Sequence, residues 1–231
     1  IRIAAGKHGK KLSGCTLVST HEPCPMCASA ILWAGIPALA FGVSIQDTLA
    51  QGRNRIDLSC TEIFQRAGAD IDVKGGVCRE ECAVLYREDV RREIQNLRNA
   101  GEKELEELNA DSVRRRSDWF HQNKSEFSFE PDDILLAGYQ LLLHRLKIPP
   151  KEAPILRRSD TEIVFHSMNF CPTLAACRIL KRDTRYICQR LNEKATDILL
   201  KQLDPRLSFA RNYDRLRPQA NYCEEMIRLD K

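Results

Sequence analysis

The chain has 231 residues, 43% of them hydrophobic and 29% charged, which suits one large or two small folded domains and excludes wholesale disorder. Its 36 basic and 32 acidic side chains leave a net charge of +4, too small to mark a nucleic-acid binder by itself. No export leader is read at Ile1, so a reducing, cytoplasmic compartment is expected, where ten cysteines point to metal or chemistry more than to a disulfide framework.

Residues 1–11 read as the end of a basic helix, and Ser13-Gly14 turns into a strand at Cys15–Thr20. The stretch Pro23–Gln46 is free of charge and long enough to be mistaken for a membrane span. Gly35 and Pro37 break it, however, into a helix over Cys27–Trp33, a turn, and a buried strand over Ala38–Val43. No membrane partner is expected. After a polar loop with Gly52 comes a segment, Ile56–Ala67, that the pattern leaves unassigned, and then a Gly75-Gly76 turn that launches a helix at Val77. Strands alternating with helices imply an α/β layer architecture.

From Glu81 to about Val113 the sequence is strongly charged, with Val90, Ile94, Leu97, Leu105 and Leu108 at helical spacing. Arg114-Arg-Arg116, beside the run Glu102, Glu104, Glu106 and Glu107, reads as a solvated helix face. Residues 121–131 are polar and irregular and form the best linker candidate. A second unit then opens with an apolar helix at Asp133–Leu143, passes a strand at Thr161–Phe165, and is expected to end in helices carrying Cys171, Cys177, Cys188 and Cys223. The expected division is therefore 1–95, a charged helical linker at 96–130, and a Cys-rich unit of smaller α+β type at 131–231.

The sharpest motif is Thr20-His-Glu-Pro-Cys-Pro-Met-Cys27, between a strand and a helix. Pro25 suits the first helical turn, where a missing N–H costs nothing. Cys24 and Cys27 then face the positive end of the helix dipole, which lowers thiol pKa and favours a cation such as zinc between them. A redox pair would enjoy the same electrostatics, so the flanking residues must decide.

Those flanks, Thr16–Ile36 with Phe41-Gly-Val43 and Gly76–Tyr86, resemble the cytidine/deoxycytidylate deaminase superfamily, nearest to its guanine deaminases and tRNA-specific adenosine deaminases. The resemblance covers about residues 1–95. It implies a three-layer α/β/α domain, a zinc ion held by Cys24 and Cys27, and hydrolytic removal of an exocyclic amine from a base, the P-C-x-x-C being half of the signature H-x-E…P-C-x-x-C. The other half, which carries the third ligand and the general acid/base Glu, does not occur in its place; Cys60-Thr-Glu62, Cys78-Arg-Glu80 and Cys223-Glu-Glu225 match C-x-E but follow the pair instead of preceding it. The missing half is expected upstream of Ile1, so no catalytic residue is assigned in this chain. His21 is expected to line the pocket or serve structure, and Glu22 to be a structural hydrogen-bonding residue. For Cys78 and Cys82, Cys15 and Cys60, core packing is favoured.

The C-terminal residues His166, Cys171, Cys177, Cys188 and Cys223 match no zinc-finger or iron–sulfur spacing. Asn169-Phe-Cys-Pro172, Tyr186-Ile-Cys188 and Asn221-Tyr-Cys-Glu224 resemble the aminothiazoline-carboxylate hydrolase-like domains. A small-molecule or metal site on these thiols and a Cys-rich core stand about even. The leading functional expectation is a zinc-dependent deaminase of a free base or nucleoside, working as a homodimer. A tRNA adenosine deaminase comes second, since residues 1–86 carry 9 basic and 8 acidic side chains, a poor match to a phosphate backbone. A non-catalytic zinc-stabilised binding module is third.

Overall fold

The computed structural model describes residues 1–126 and 133–230. It divides into two compact units, Ile1–Glu88 and Asp89–Lys231, and no helix among the described residues is long and apolar enough to cross a membrane.

In the first unit, α1 (Arg2–His8) leads to β1 (Thr16–His21), α2 (Pro25–Ala34), β2 (Ala38–Val43), α3 (Ile45–Ala50), α4 (Cys60–Arg66), β3 (Asp72–Lys74) and α5 (Arg79–Val84). The strands form a parallel sheet in the order β1-β2-β3, with Thr16 opposite Ala38 and Ala38 opposite Asp72. Parallel neighbours need a crossover, and α2 supplies it. Cys24 caps that helix with extended backbone and Pro25 opens it. Gly35 closes it in the left-handed region, φ 64°, donating to the carbonyls of Ile31 and Leu32, as a C-terminal glycine does. Ala28, Ile31 and Ala34 turn inward and pack with Leu12, Ile36, Leu39, Phe41, Cys60 and Phe64. The expected α/β alternation is thus present, with the strand at Ala38–Val43 falling where the sequence placed it. The unassigned stretch 56–67 resolves into α4, capped by the Ser59 side chain on the amide of Glu62.

The second unit holds α6 (Glu88–Leu97), α7 (Glu102–Asn123), α8 (Ile134–Leu146), β4 (Ile155–Arg158), β5 (Glu162–Ser167), α9 (Pro172–Leu180), α10 (Thr184–Cys188), a π-helical turn (Gln189–Glu193), α11 (Lys194–Leu203), β6 (Leu207–Arg211) and β7 (Cys223–Leu229). Its sheet is antiparallel, in the order β4-β5-β7-β6. Phe120, Leu141, Leu142, Ile163, Phe165, Leu199, Leu200, Leu207 and Ile227 form its core. Gly138 of α8 lets that helix lie close to β6, since a Cβ there would sit 3.1 Å from Leu207 Cδ1.

Two expectations are corrected here. The chain does not end in helices: Cys223 begins strand β7, on which Glu225 and Ile227 are buried with the period of two that a strand imposes. Arg116 does not belong to a solvated face, being 9% exposed, on the same side of α7 as buried Leu105 and Phe120. Helix α7, in the stretch expected to be a charged helical linker, buries Leu105, Arg116 and Phe120. The rest of the linker candidate lies in the 3-10 turn Lys124–Glu126 and in residues 127–132, which fall outside the described residues.

Candidate metal centre

Strand β1 delivers the motif to its place. Its last residue, His21, donates from Nδ1 to the Glu22 carbonyl at 2.6 Å, has Nε2 3.1 Å from Thr48 Oγ1, and its ring lies 5.3 Å from that of Tyr86. Glu22, 6% exposed, turns inward and accepts from the amides of Ile45 and Cys60, each at 2.9 Å. Those are the first residues of α3 and α4, whose opening amides lack intrahelical partners. One carboxylate thereby seats two helices, and Pro23 and Cys24 follow it directly.

Cys24 is half-buried and Cys27 exposed, one turn apart at the start of α2. The Cys24 sulfur accepts hydrogen bonds from the backbone amide and the thiol of Cys27 and from the Met26 amide, and with the nearby charge of Arg55 these hold its pKa below the ordinary thiol value against the opposing effect of burial. The Cys27 thiol, donating to Cys24, is pushed up. Two hydrogen-bonded sulfurs at a helix N-terminus are a soft donor pair that a zinc ion, displacing their protons, would bridge. The pair fits the metal as part of a ligand set. Among the described residues no group of three His, Cys, Asp or Glu side chains stands close enough together to hold a metal ion.

The pair opens on a cleft of about 580 Å³ lined by Leu17, Ser19, His21, Glu22, Arg55 and Tyr86 among others. Arg55 and Tyr86 are the residues sequence reasoning did not single out. Tyr86 closes the Gly76–Tyr86 segment and its hydroxyl lies 3.0 Å from Thr20 Oγ1, so its place in that segment was the available signal.

The other cysteines are placed differently. Cys60 is fully buried beside the Glu22 carboxylate, and burial first, then that charge, pushes its thiol up to about 12. Cys82 lies against Gly42, where a Cβ would stand 2.4 Å from its sulfur. Cys78 is exposed with φ 50°, contrary to the core role expected of it. In the second unit the thiols of Cys171, Cys177, Cys188 and Cys223 are near enough to bear on one another's charge; no three-ligand cluster stands there among the described residues. His166 stands apart from that chemistry: it pairs with Glu224 at 3.3 Å and stacks on Tyr222 at 3.5 Å.

Residues 1–43 match the family described as the cytidine and deoxycytidylate deaminase zinc-binding region. Cys24 and Cys27 lie inside the matched stretch. Similar proteins include a probable cytosine deaminase of Schizosaccharomyces pombe, 28% identical over 35% of this chain and 53% of that protein. A tRNA-specific adenosine deaminase of Bacillus subtilis is 32% identical over 42% of this chain and 57% of that protein. The riboflavin biosynthesis protein RibD of Aquifex aeolicus is 34% identical over 36% of this chain and 23% of that protein. The chain thus spans at most a little over half the length of these relatives. No solved structure matches the chain significantly.

Proposed function

We propose that the first unit is part of a zinc-dependent hydrolytic deaminase site for a free nucleobase or nucleoside. The observation that carries this reading is the Cys24–Cys27 pair at the start of α2, facing a cleft large enough for such a substrate. When bound, zinc supplies a water whose pKa is lowered toward neutrality. Cys24 and Cys27 would hold the metal, and the third ligand and the acid–base carboxylate come, in this reading, from outside the described residues. His21, Tyr86 and Arg55 line the cleft in which a base would sit. Glu22 is excluded as the acid–base group because both its oxygens are spent on the amides of α3 and α4.

The resemblance to a tRNA-specific adenosine deaminase supports a second reading, in which the base belongs to tRNA. Zinc content and ammonia release, measured on the protein produced from its own gene, separate the readings. The expected result is about one zinc per chain, lost in both Cys24→Ser and Cys27→Ser, with ammonia from cytosine, guanine or adenosine. Ammonia from a tRNA anticodon stem alone selects the second reading. Zinc without ammonia from any of these substrates overturns both and leaves a zinc-stabilised binding module.

A further inference from the structure

Three helices and the π-helical turn of the second unit meet around a cavity of about 40 Å³ whose polar lining is unspent. Glu93 and Asn96 stand one turn apart on α6, and Ser112 and Arg115 one turn apart on α7, so each pair shares a helix face. Thr173 enters from the first turn of α9, and Asn192 from the π-helical turn Gln189–Glu193, a feature that recurs at functional sites. None of these side chains has a hydrogen-bond or ion-pair partner among the described residues. Elsewhere in the unit such groups are committed: Ser167 donates to Glu225, the Tyr139 hydroxyl to the Ala153 carbonyl, and Arg182 to the carbonyls of Leu97 and Ala100.

Glu93 and Arg115 carry opposite charges into this cavity without pairing. The Glu93 carboxylate is half-buried, and burial pushes it up against the opposing charges of Arg92 and Arg115, neither of which reaches ion-pair distance. Arg115 is exposed and so stands at the open side, while Thr173, 8% exposed, and Leu191, 7% exposed, lie at the closed side. The volume holds roughly three water-sized groups. Water would satisfy the hydroxyls and amides but leaves a half-buried carboxylate with no cation in contact, which costs free energy. A lone metal ion would share the space with a guanidinium, and a lone anion with a carboxylate. A molecule with an ammonium next to a carboxylate answers both charges: its ammonium and α-carbon fill the cavity, and its carboxylate meets the Arg115 fork.

We propose that this cavity binds a small α-amino acid, of the size of glycine or alanine, with its ammonium on Glu93 and its carboxylate on Arg115. The amides of Asn96 and Asn192 and the hydroxyls of Ser112 and Thr173 supply the remaining donors and acceptors. The site lies wholly within the second unit and is independent of the deaminase reading.

Calorimetric titration of the full chain tests it. With about five non-hydrogen atoms, glycine cannot bind tighter than about micromolar, so the titration extends from there into the millimolar range. Methylammonium and acetate each carry one of its two charges, and trimethylglycine keeps both but has no N–H to donate. Glycine or alanine is expected to saturate a single site, with each of these comparison compounds at least about tenfold weaker. Glu93→Gln and Arg115→Gln should each weaken glycine by at least about tenfold. Neither side chain has a partner to lose, so both variants should melt no lower than the unaltered chain. The comparison compounds are measured on the unaltered protein and decide the matter even where a substitution impairs folding. Absence of saturable binding by glycine and alanine overturns the proposal, as does methylammonium or acetate bound as tightly as glycine, or a glycine affinity unchanged in either variant.

Discussion

The Glu22 carboxylate offers the most exacting test of how the metal centre is held. It accepts from the first amides of α3 and α4 at 2.9 Å each, in an environment where its own exposure is 6%. Replacing it with Ala strands two buried N–H groups, each costing about 1–3 kcal/mol when left without an acceptor. The expected loss is thus about 2–6 kcal/mol, against a total of about 5–15 for a typical domain. Glu22→Gln keeps one acceptor and turns an NH2 toward the other amide, so its loss should fall near the middle of that range. Hydrogen-exchange mass spectrometry reads this locally: peptides covering Ile45–Ala50 and Cys60–Arg66 should lose protection in the order Ala, then Gln, then the unaltered chain, at about tenfold per 1.4 kcal/mol. Zinc content of the folded Gln variant should be unchanged. A loss below about 1 kcal/mol for Ala, or exchange that speeds up equally across both units, would refute the idea that this carboxylate ties the two helix starts together.

Asp47 bonds to Arg79 and to the backbone and hydroxyl of Ser44, and in that order these hold its carboxyl well below the usual carboxylate range. A depressed folded-state pKa gives stability that is present above the unfolded value of about 3.9 and lost as the pH falls through the folded one. The melting-temperature gap between the unaltered chain and Asp47→Asn should therefore be present at pH 6 and close as the pH drops below 4; a constant gap counts against the pairing. Gly42→Ala places a Cβ 2.4 Å from Cys82 Sγ, 2.5 Å from Cys82 Cβ and 2.9 Å from the Thr20 carbonyl, which should cost about 1–3 kcal/mol in urea unfolding. Adding Cys82→Ala removes only the sulfur, so most of that loss should persist, and full recovery would mean that the backbone contact does not matter.

Much of the first unit is legible because its signals are local. Gly35 and Pro37 divide one apolar run into helix and strand, and P-C-x-x-C names its own geometry: a capping residue, a proline where no donor is needed, and two thiols one turn apart. The expected roles of Glu22, a structural hydrogen-bonding residue, and Cys60, a core residue, match their surroundings, but the partners of Glu22 are not legible in this way. Whether a carboxylate acts as acid, ligand or cap depends on which atoms face it, and the amides that face Glu22 come from residues 23 and 38 positions later in the chain. The same holds for β7. Cys-Glu-Glu suggests a helix by propensity, yet pairing with β5 and β6 on both sides fixes it as a strand.

Arg116 differs from these, because its burial had a local signal. Leu105 and Phe120 stand eleven residues before and four after it, both whole numbers of turns at 3.6 residues each to within a fraction of a residue, so Arg116 shares their face while Arg114 and Arg115 do not. Charge content hides that register: three arginines beside four glutamates look like a solvated surface whatever their phase. Reading phase before charge selects one of the three as a buried cation. The acceptor its guanidinium then finds is the Thr196 hydroxyl, 80 residues further along the chain, which no local pattern shows.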